Sequence, residues 1–187
     1  MGAGLTSEPD RSGEEIGILV DEADRPTGTA LRSDIRARNL LHRGVAIIVR
    51  NPAGEIYVHR RTPTKDVFPD MYDMVVGGMV TAGESYEEAA RRELGEELGV
   101  DRAEPAFLLK HRYRGDKNNA WISLYEVVWP GPIRHQEEEV SWGAYMTEEE
   151  LVSKLRQWAF APDHLEVFQR YLSSRAGAPP TQSRARD

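Results

Sequence analysis

The stretch GGMVTAGESYEEAARRELGEELGV, residues 77–100, decides how the rest of this sequence is interpreted. It opens with two glycines and continues into a glutamate-rich pattern that predicts a helix over residues 85–98, ended by Gly99. Leu94 and Leu98 stand four residues apart and give this helix a buried side. The question is whether its glutamates form an ordinary solvated surface or hold a cation.

Three of the glutamates share one face of the predicted helix, because Glu93, Glu96 and Glu97 have the spacing i, i+3, i+4. Carboxylates this close repel one another, and the negative end of the helix dipole makes them less favourable still. Local stability therefore disfavours the arrangement. A hard divalent cation such as Mg²⁺ or Mn²⁺ would favour it, because these ions prefer carboxylate oxygens as ligands.

Three glycines lie in the predicted turn before the helix: Gly77, Gly78 and Gly83. Because glycine has no Cβ, backbone groups at these positions can come close to a ligand or a metal ion. Glu84 precedes the helix and Arg92 lies within it. We expect an ion pair between them, which would brace the turn against the helix and hold the neighbouring Glu93 in place.

Composition limits the class of protein. The 187 residues predict one domain over residues 15–174, with disordered tails at 1–14 and 175–187. The absence of cysteine excludes disulfides, thiol catalysis and thiolate zinc sites. A net charge of −7 gives no overall attraction to nucleic acid or an anionic membrane, so neither is an expected partner. No apolar run reaches the roughly 20 residues needed to span a bilayer, and no signal-peptide pattern is present, which predicts a cytoplasmic protein.

The remaining sequence predicts an α+β domain of mostly antiparallel strands with helices packed on them. Strands are expected on both sides of a turn at residues 21–26, in a hairpin over 44–61, and over 72–78, 106–114, 120–129 and 139–146. Further helices are expected over 33–43 with Ser33 as N-cap, over 147–158 with a Thr147/Glu150 capping box, and over 162–174. In the hairpin, alternation places Ile56 and Val58 on one face and Tyr57 and His59 on the other.

The spacing of the glycines and charged residues resembles the Nudix box, Gly-x5-Glu-x7-Arg-Glu-U-x-Glu-Glu-x-Gly-U, where U is apolar. All nine defined positions are filled over 23 residues: Gly78, Glu84, Arg92, Glu93, Leu94, Glu96, Glu97, Gly99 and Val100. The surrounding order of strands and helices is similar to that of the Nudix α/β/α sandwich. A match at this many positions makes the resemblance specific.

This resemblance implies a hydrolase that uses Mg²⁺ or Mn²⁺ to cleave a diphosphate linked to another group X, with a nucleoside di- or triphosphate as the leading expectation. Glu93, Glu96 and Glu97 would hold the metal ion, together with the carbonyl group of Gly78. Glu93, Arg92 and Glu97 are the implied catalytic residues, and Arg92 would orient Glu93. The general base would be Glu93 or a carboxylate outside the box.

Residues outside the box complete the expected site. Glu138 and Glu139, before the strand at 139–146, are the candidates for an outside base. Arg60 and Arg61 are neighbours on a predicted strand, so one faces each way, and one of them is a candidate for binding substrate phosphate. Lys65 follows in a loop, for which folding over the site and plain surface are equal alternatives.

The flanking segments NLLHRGVAIIV, VHRRTPTKDVFPDMYDM, HRYR and QWAFAPD resemble the isopentenyl-diphosphate isomerase branch of the family and its bacterial hydrolase-like relatives. The catalytic Cys of the isomerases falls at Gly77 here, a metal-binding His falls at Met79, and their Glu-x-Glu pair falls near residues 119–121, which contain no carboxylate. Hydrolysis is therefore expected rather than isomerisation. The alternatives are an isomerase-like enzyme or a Nudix-like binding or regulatory module without turnover. Many relatives form homodimers, which makes a homodimer a candidate assembly.

Overall fold

Eight strands and four helices make up residues 13–176, the part of the chain that this computed structural model describes. In chain order they are β1 (Ile16–Val20), β2 (Pro26–Leu31), α1 (Arg32–Arg38), β3 (His42–Arg50), β4 (Ile56–Arg61), β5 (Tyr72–Asp73), α2 (Tyr86–Leu98), β6 (Ala106–Arg114), β7 (Asn119–Val128), β8 (Val140–Met146), α3 (Glu148–Lys154) and α4 (Pro162–Ala176). The predicted disordered tails lie largely outside the described residues. At the C-terminal end, α4 extends through Arg175 and Ala176, which the sequence assigned to a tail.

The sheet is built around β3. This strand runs parallel to β7 over nine paired positions, from His42 opposite Ala120 to Arg50 opposite Val128. The other strand pairs described within residues 13–176 are antiparallel: β1 with β2, β1 with β3, β3 with β4, β4 with β5, β4 with β8, and β6 with β7. The predicted mixed, mostly antiparallel sheet is therefore confirmed.

The predicted hairpin of β3 and β4 is wrong in its pairing. The two strands share a single registered pair, next to the turn that joins them. The backbone that follows β5 pairs with β3 instead, since Ile47 N donates to Val76 O at 2.7 Å and Val45 N donates to Gly78 O at 2.9 Å. The strand expected over residues 72–78 is consequently a two-residue strand followed by irregular backbone. This pairing holds the two glycines beside β3.

Helices cover both faces of the sheet. Successive residues of β3 and β4 point to opposite sides, so both faces carry apolar side chains that pack against helices. One buried cluster joins α2 to the sheet and includes Val45, Ile47, Val49, Tyr57, Ala89, Ala90, Leu94 and Leu98. A second cluster joins α3 and α4 to the other face and includes Ala46, Ile48, Ile56, Val58, Leu151, Val167 and Phe168. The structure therefore confirms the α/β/α sandwich and the predicted faces of Ile56, Tyr57 and Val58.

The ends of α2 and the start of α3 follow the sequence signals. The Ser85 hydroxyl accepts a hydrogen bond from Glu88 N at 3.2 Å, and the Glu88 carboxylate accepts one from Ser85 N at 2.8 Å. Gly99 ends α2 in the left-handed region, with φ 66°. Thr147 and Glu150 form the predicted capping box at the start of α3. These local interactions set where α2 begins and ends.

The N-cap predicted for α1 is wrong. The helix begins directly after β2, with Leu31 at the N-cap and no side-chain capping bond. Ser33 is inside the first turn, and its backbone N–H donates to the carboxylate of Glu14. The acceptor that Ser33 was expected to supply therefore comes from a residue earlier in the chain. None of the helices described between residues 13 and 176 is long and apolar enough to cross a membrane.

Candidate active site

A cleft of about 540 Å³ opens between α1, the loop of residues 62–71, the turn that contains the glycines, and α2. The carboxylates that line it are Glu15, Glu93, Glu96, Glu97 and Glu139. The basic side chains that line it are Arg32, Arg36, Arg61, Lys65 and Arg92. A cleft with both charges suits a ligand that combines a cation with an anionic group.

Glu93 and Glu97 are the buried carboxylates of this cleft, since they are only 7% and 8% exposed. Burial raises the pKa of Glu93 to about 7, although Arg92 opposes the rise. Burial, followed by the nearby charge of Glu93, raises the pKa of Glu97 to about 8. The fold therefore holds two carboxylates where their ionised forms are unfavourable, which a bound cation would relieve.

Arg92 connects the carboxylates of the site. It donates from Nε to Glu84 Oε1 at 2.7 Å and from Nη2 to Glu84 Oε2 at 3.1 Å, so the predicted ion pair is present and bidentate. Its Nη1 donates to Glu93 Oε1 at 2.8 Å and to Glu96 Oε2 at 3.1 Å, and its Nη2 donates to Met79 O at 2.9 Å. Burial raises the pKa of Glu84, but the hydrogen bonds, above all from Arg92, lower it to about 2.

The two glycines beside β3 leave room for this arrangement. A Cβ atom at Gly78 would lie 2.6 Å from the carboxyl carbon of Glu93, so a side chain there would displace that carboxylate. A Cβ atom at Gly77 would lie 2.9 Å from the carbonyl carbon of Val45. The Gly78 carbonyl accepts a hydrogen bond from Val45 N at 2.9 Å and keeps its second lone pair for a further partner.

The donor chemistry of the cleft fits a hard divalent ion, because Mg²⁺ and Mn²⁺ prefer carboxylate oxygens and Glu93 and Glu97 are poorly neutralised. Within residues 13–176, no three carboxylate or imidazole groups converge closely enough to hold an ion as they stand. Glu96 lines the same cleft, but its side chain is 54% exposed and paired to Arg92. Binding one ion through all three glutamates therefore requires their carboxylates to move closer together.

Arg60 and Arg61 face opposite ways, as their adjacent positions predicted. Arg61 lines the cleft and donates to Val67 O at 3.0 Å and to Phe68 O at 3.2 Å. Arg60 does not line the cleft and forms a 2.9 Å ion pair with Asp70. Of the two candidates for binding phosphate, the structure brings Arg61 to the site and leaves Arg60 outside it.

The candidate bases separate in the same way. Glu139 lines the cleft, and its carboxylate forms an ion pair with Lys65, which lines the cleft as well. Glu138 is exposed and does not line the cleft. Its backbone carbonyl accepts a hydrogen bond from Thr62 Oγ1 at 2.8 Å, which ties the segment before β8 to the end of β4.

Two cleft residues were not predicted from the sequence: Arg32 and Arg36, the arginines through which α1 contributes to the cleft. Arg32 Nη2 lies 3.3 Å from Asp66 Oδ2, and Arg36 Nε lies 3.9 Å from the same oxygen. Their i, i+4 spacing on α1 places them on one face. The predicted helix began at residue 33 and left out Arg32, and the sequence does not show which way the helix faces.

A buried charged pair lies behind Arg61. Asp73 is 0% exposed, and His164 Nδ1 donates to its Oδ2 at 2.7 Å. Burial lowers the pKa of His164, but the charges of Asp73 and Asp163 outweigh this effect and raise the pKa to about 9. Burial raises the pKa of Asp73, but the charge of His164 lowers it below its usual range. Arg61 Nη1 lies 3.9 Å from the same Asp73 oxygen, so the pair links α4 to the cleft wall.

The chain belongs to the Nudix hydrolase family, since residues 40–171 match the family described as the NUDIX domain. An uncharacterized Nudix hydrolase of Streptomyces coelicolor is 46% identical over 171 residues, which cover 90% of this chain and 94% of the relative. One of Pseudomonas aeruginosa is 39% identical over 166 residues, covering 87% and 96%. A crystal structure of a Deinococcus radiodurans protein matches with a TM-score of 0.73 at 32% identity and covers 83% of this chain and 98% of that one.

These similarities confirm the predicted family and fold, and they make the protein an enzyme of the class that acts on phosphoric anhydride bonds. The relatives carry the family name without a substrate. The closer resemblance to the isopentenyl-diphosphate isomerase branch stays a prediction.

Proposed function

We propose that this protein hydrolyses a diphosphate linkage in a small molecule of the nucleoside diphosphate-X type, with Mg²⁺ or Mn²⁺ held by Glu93, Glu96 and Glu97. The observation that carries the proposal is the pair of buried, poorly neutralised carboxylates on α2, facing a cleft with several basic side chains. A divalent cation matches the carboxylates, and a diphosphate matches the basic side chains.

In this proposal Glu93 and Glu97 hold the ion, with Glu96 and the Gly78 carbonyl as further ligands. A bound divalent ion supplies positive charge to the diphosphate and promotes ionisation of the attacking water. The 2.8 Å hydrogen bond from Arg92 fixes the orientation of Glu93. The buried side of the cleft thus presents carboxylate oxygens in a defined position before the substrate binds.

Residues across the cleft complete the reaction. Arg61 has a planar guanidinium that suits phosphate oxygens, and Lys65, which is paired with Glu139, adds a second positive charge. Glu139 is the proposed general base, because it lines the cleft and Glu138, the other candidate before β8, does not. Its side chain is 31% exposed, which gives a water molecule access to it. Glu93 is the alternative base.

Two alternatives remain from the sequence. Isomerase chemistry lacks support, because Gly77 leaves no room for a cysteine side chain beside Val45 and residues 119–121 contain no carboxylate. A binding module without turnover would have no need for the full set of box carboxylates, all of which this chain keeps. The proposal involves no nucleic acid and no membrane, and it places the reaction in the cytoplasm. A homodimer stays a prediction.

A panel of diphosphates tests the proposal. The protein would be incubated with nucleoside di- and triphosphates, nucleotide sugars, dinucleotides, coenzyme A and prenyl diphosphates, each with Mg²⁺ or Mn²⁺ and with chelator. Glu97→Gln protein, purified in parallel, controls for contaminating phosphatases. We expect metal-dependent release of phosphate, diphosphate or a nucleoside monophosphate that the variant lacks. Turnover of no compound, with binding still detectable, would favour the binding module.

A further inference from the structure

We propose that Arg36 and Arg61 form an anion subsite at the inner end of the cleft, which binds a free terminal phosphoryl group of the substrate. This inference rests on the proposed function and narrows it, because it selects substrates whose phosphate chain ends in an unesterified phosphate. Nucleoside di- and triphosphates have such an end. Nucleotide sugars and dinucleotides do not, since both ends of their diphosphate are esterified.

The charge of Arg36 is poorly matched by its surroundings. Its Nε atom is buried and has no hydrogen-bond partner among the residues that the structure describes. Its Nη1 donates to the neutral side chain of Asn118 at 3.3 Å. Its ion pair with Asp66 is long, at 3.9 Å, and Asp66 is shared with Arg32. A partly buried guanidinium with an unused donor is unfavourable unless an anion completes its interactions.

Arg61 has the same deficit of negative charge. Its side chain is 13% exposed, and two of its nitrogen atoms donate to the backbone carbonyls of Val67 and Phe68, which carry no net charge. The carboxylate near it, Asp73, is 3.9 Å away and is already paired with His164. Arg61 therefore retains charge for a ligand in the cleft.

A small cavity of about 50 Å³ is lined by both arginines and by Gly77 and Gly78. Arg36 and Arg61 line both this cavity and the larger cleft. Among the described residues, the carboxylate that lines the cavity is Asp163, and it accepts hydrogen bonds from Asn118 Nδ2 at 2.7 Å and from His164 N at 2.8 Å. The cavity thus has an excess of positive charge.

Size and composition favour a phosphoryl group as the occupant. The cavity admits one small anionic group and excludes a nucleobase or a sugar. Planar guanidinium groups suit the tetrahedral oxygens of phosphate, because they donate two parallel hydrogen bonds. None of the side chains that line the larger cleft within residues 13–176 is aromatic, and Phe68 lines the small cavity instead. These contacts therefore favour recognition of the end of the phosphate chain over recognition of X.

Binding of methylenediphosphonate tests the subsite without turnover, because its P–C–P bridge resists hydrolysis. Isothermal titration in Mg²⁺ would compare wild type, Arg36→Gln and Arg38→Gln. Arg38 is the matched control, since it is an exposed arginine on the same helix. We expect Arg36→Gln to weaken binding at least about tenfold and Arg38→Gln to leave it unchanged within about twofold. Equal affinity of Arg36→Gln and wild type would overturn the proposal.

Thermal unfolding separates a binding role of Arg36 from a structural one. Because the substitution removes a buried donor that lacks a partner, we expect Arg36→Gln to unfold at the same temperature as wild type or higher. A clear fall in Tm together with lost binding would assign Arg36 a structural role and overturn the proposal.

Kinetics separate failure of the subsite from failure of the proposed function. With a nucleoside diphosphate, Arg36→Gln should raise KM about tenfold, and a nucleotide sugar should be a poor substrate of wild type. Metal-dependent turnover with an unchanged KM in Arg36→Gln would leave the hydrolase intact and refute the subsite. Arg36-dependent binding of methylenediphosphonate without turnover of any compound would support the subsite and refute the hydrolase.

Discussion

Replacing Glu97 by glutamine should make the metal-free protein more stable at pH 8, although the residue is central to the proposed site. Burial and the nearby charge of Glu93 raise the pKa of Glu97 from its ordinary value of 4.5 to about 8. A difference of this size corresponds to roughly 4–5 kcal/mol as an upper limit. Glutamine has nearly the same shape and no charge, so it avoids this cost.

The sign of the effect depends on pH. Below pH 4.5 the carboxyl group is protonated in both the folded and the unfolded protein, and it costs nothing. As pH rises towards about 8, the unfolded chain loses the proton while the folded protein must retain it or bury a charge, so stability falls. Part of this cost is repulsion between Glu97 and Glu93, so its full value does not belong to Glu97 alone. We therefore expect Glu97→Gln to raise the free energy of unfolding by about 2–4 kcal/mol at pH 8 and by under about 1 kcal/mol at pH 5.

Guanidinium denaturation in EDTA, at pH 5 and pH 8, measures the effect directly. Glu96→Gln is the matched control, because it makes the same change on the same helix at a side chain that is 54% exposed. Its free energy of unfolding should stay within about 0.5 kcal/mol of wild type at both pH values. The reasoning is refuted if Glu97→Gln is less stable than wild type at pH 8, or if its effect does not change with pH.

Three further predictions test other parts of the structure. Asp73→Asn leaves His164 without its buried anion, so the free energy of unfolding should fall by about 3–5 kcal/mol at pH 7. Urea denaturation measures this loss, and a value under about 1 kcal/mol would contradict the ion pair. The stability that His164 contributes is present below pH 6.5 and lost as pH rises to about 9, and Asp73→Asn should remove this dependence. Gly78→Ala should displace the Glu93 carboxylate and lower metal-dependent turnover. Gly28→Ala is the control and should keep wild-type turnover, because no described atom beyond its chain neighbours lies within 4 Å of a Cβ at position 28. Equal turnover in the two variants would disprove the close contact at Gly78. Glu139→Gln should lower kcat about 10²–10⁴-fold, and Glu138→Gln is the control that should not. An unchanged kcat in Glu139→Gln would leave Glu93 as the general base.

The sequence was sufficient where structure depends on neighbours along the chain. The N-cap Ser85 and the C-cap Gly99 of α2 could be predicted because a capping box and a left-handed glycine are local features. The ion pair between Glu84 and Arg92 could be anticipated for the same reason, since both residues lie on the turn and helix that contain the box. The shared face of Glu93 and Glu97 also followed from their spacing, but their burial was not predicted.

Prediction failed where distant segments compete for one place. The sequence between β3 and β4 has the features of a hairpin, but backbone after β5 takes the position beside β3, and β7 occupies the other edge for nine residues. The choice between Arg60 and Arg61, and between Glu138 and Glu139, depends on which side of the sheet faces the cleft. Arg36 reaches the cleft through the placement of α1, which no local pattern specifies.

The most direct test of the central claim, that buried glutamates on α2 hold a divalent metal ion for hydrolysis, is a Mn²⁺ titration followed by electron paramagnetic resonance. Wild type and Glu97→Gln would be titrated at the same pH, with Glu138→Gln, an exposed position outside the cleft, as a control for the same change of net charge. The account predicts saturable Mn²⁺ binding by wild type and the control, weakened at least about tenfold in Glu97→Gln, with turnover lost in parallel. Equal Mn²⁺ affinity in wild type and Glu97→Gln, or hydrolysis that persists in chelator, would contradict it.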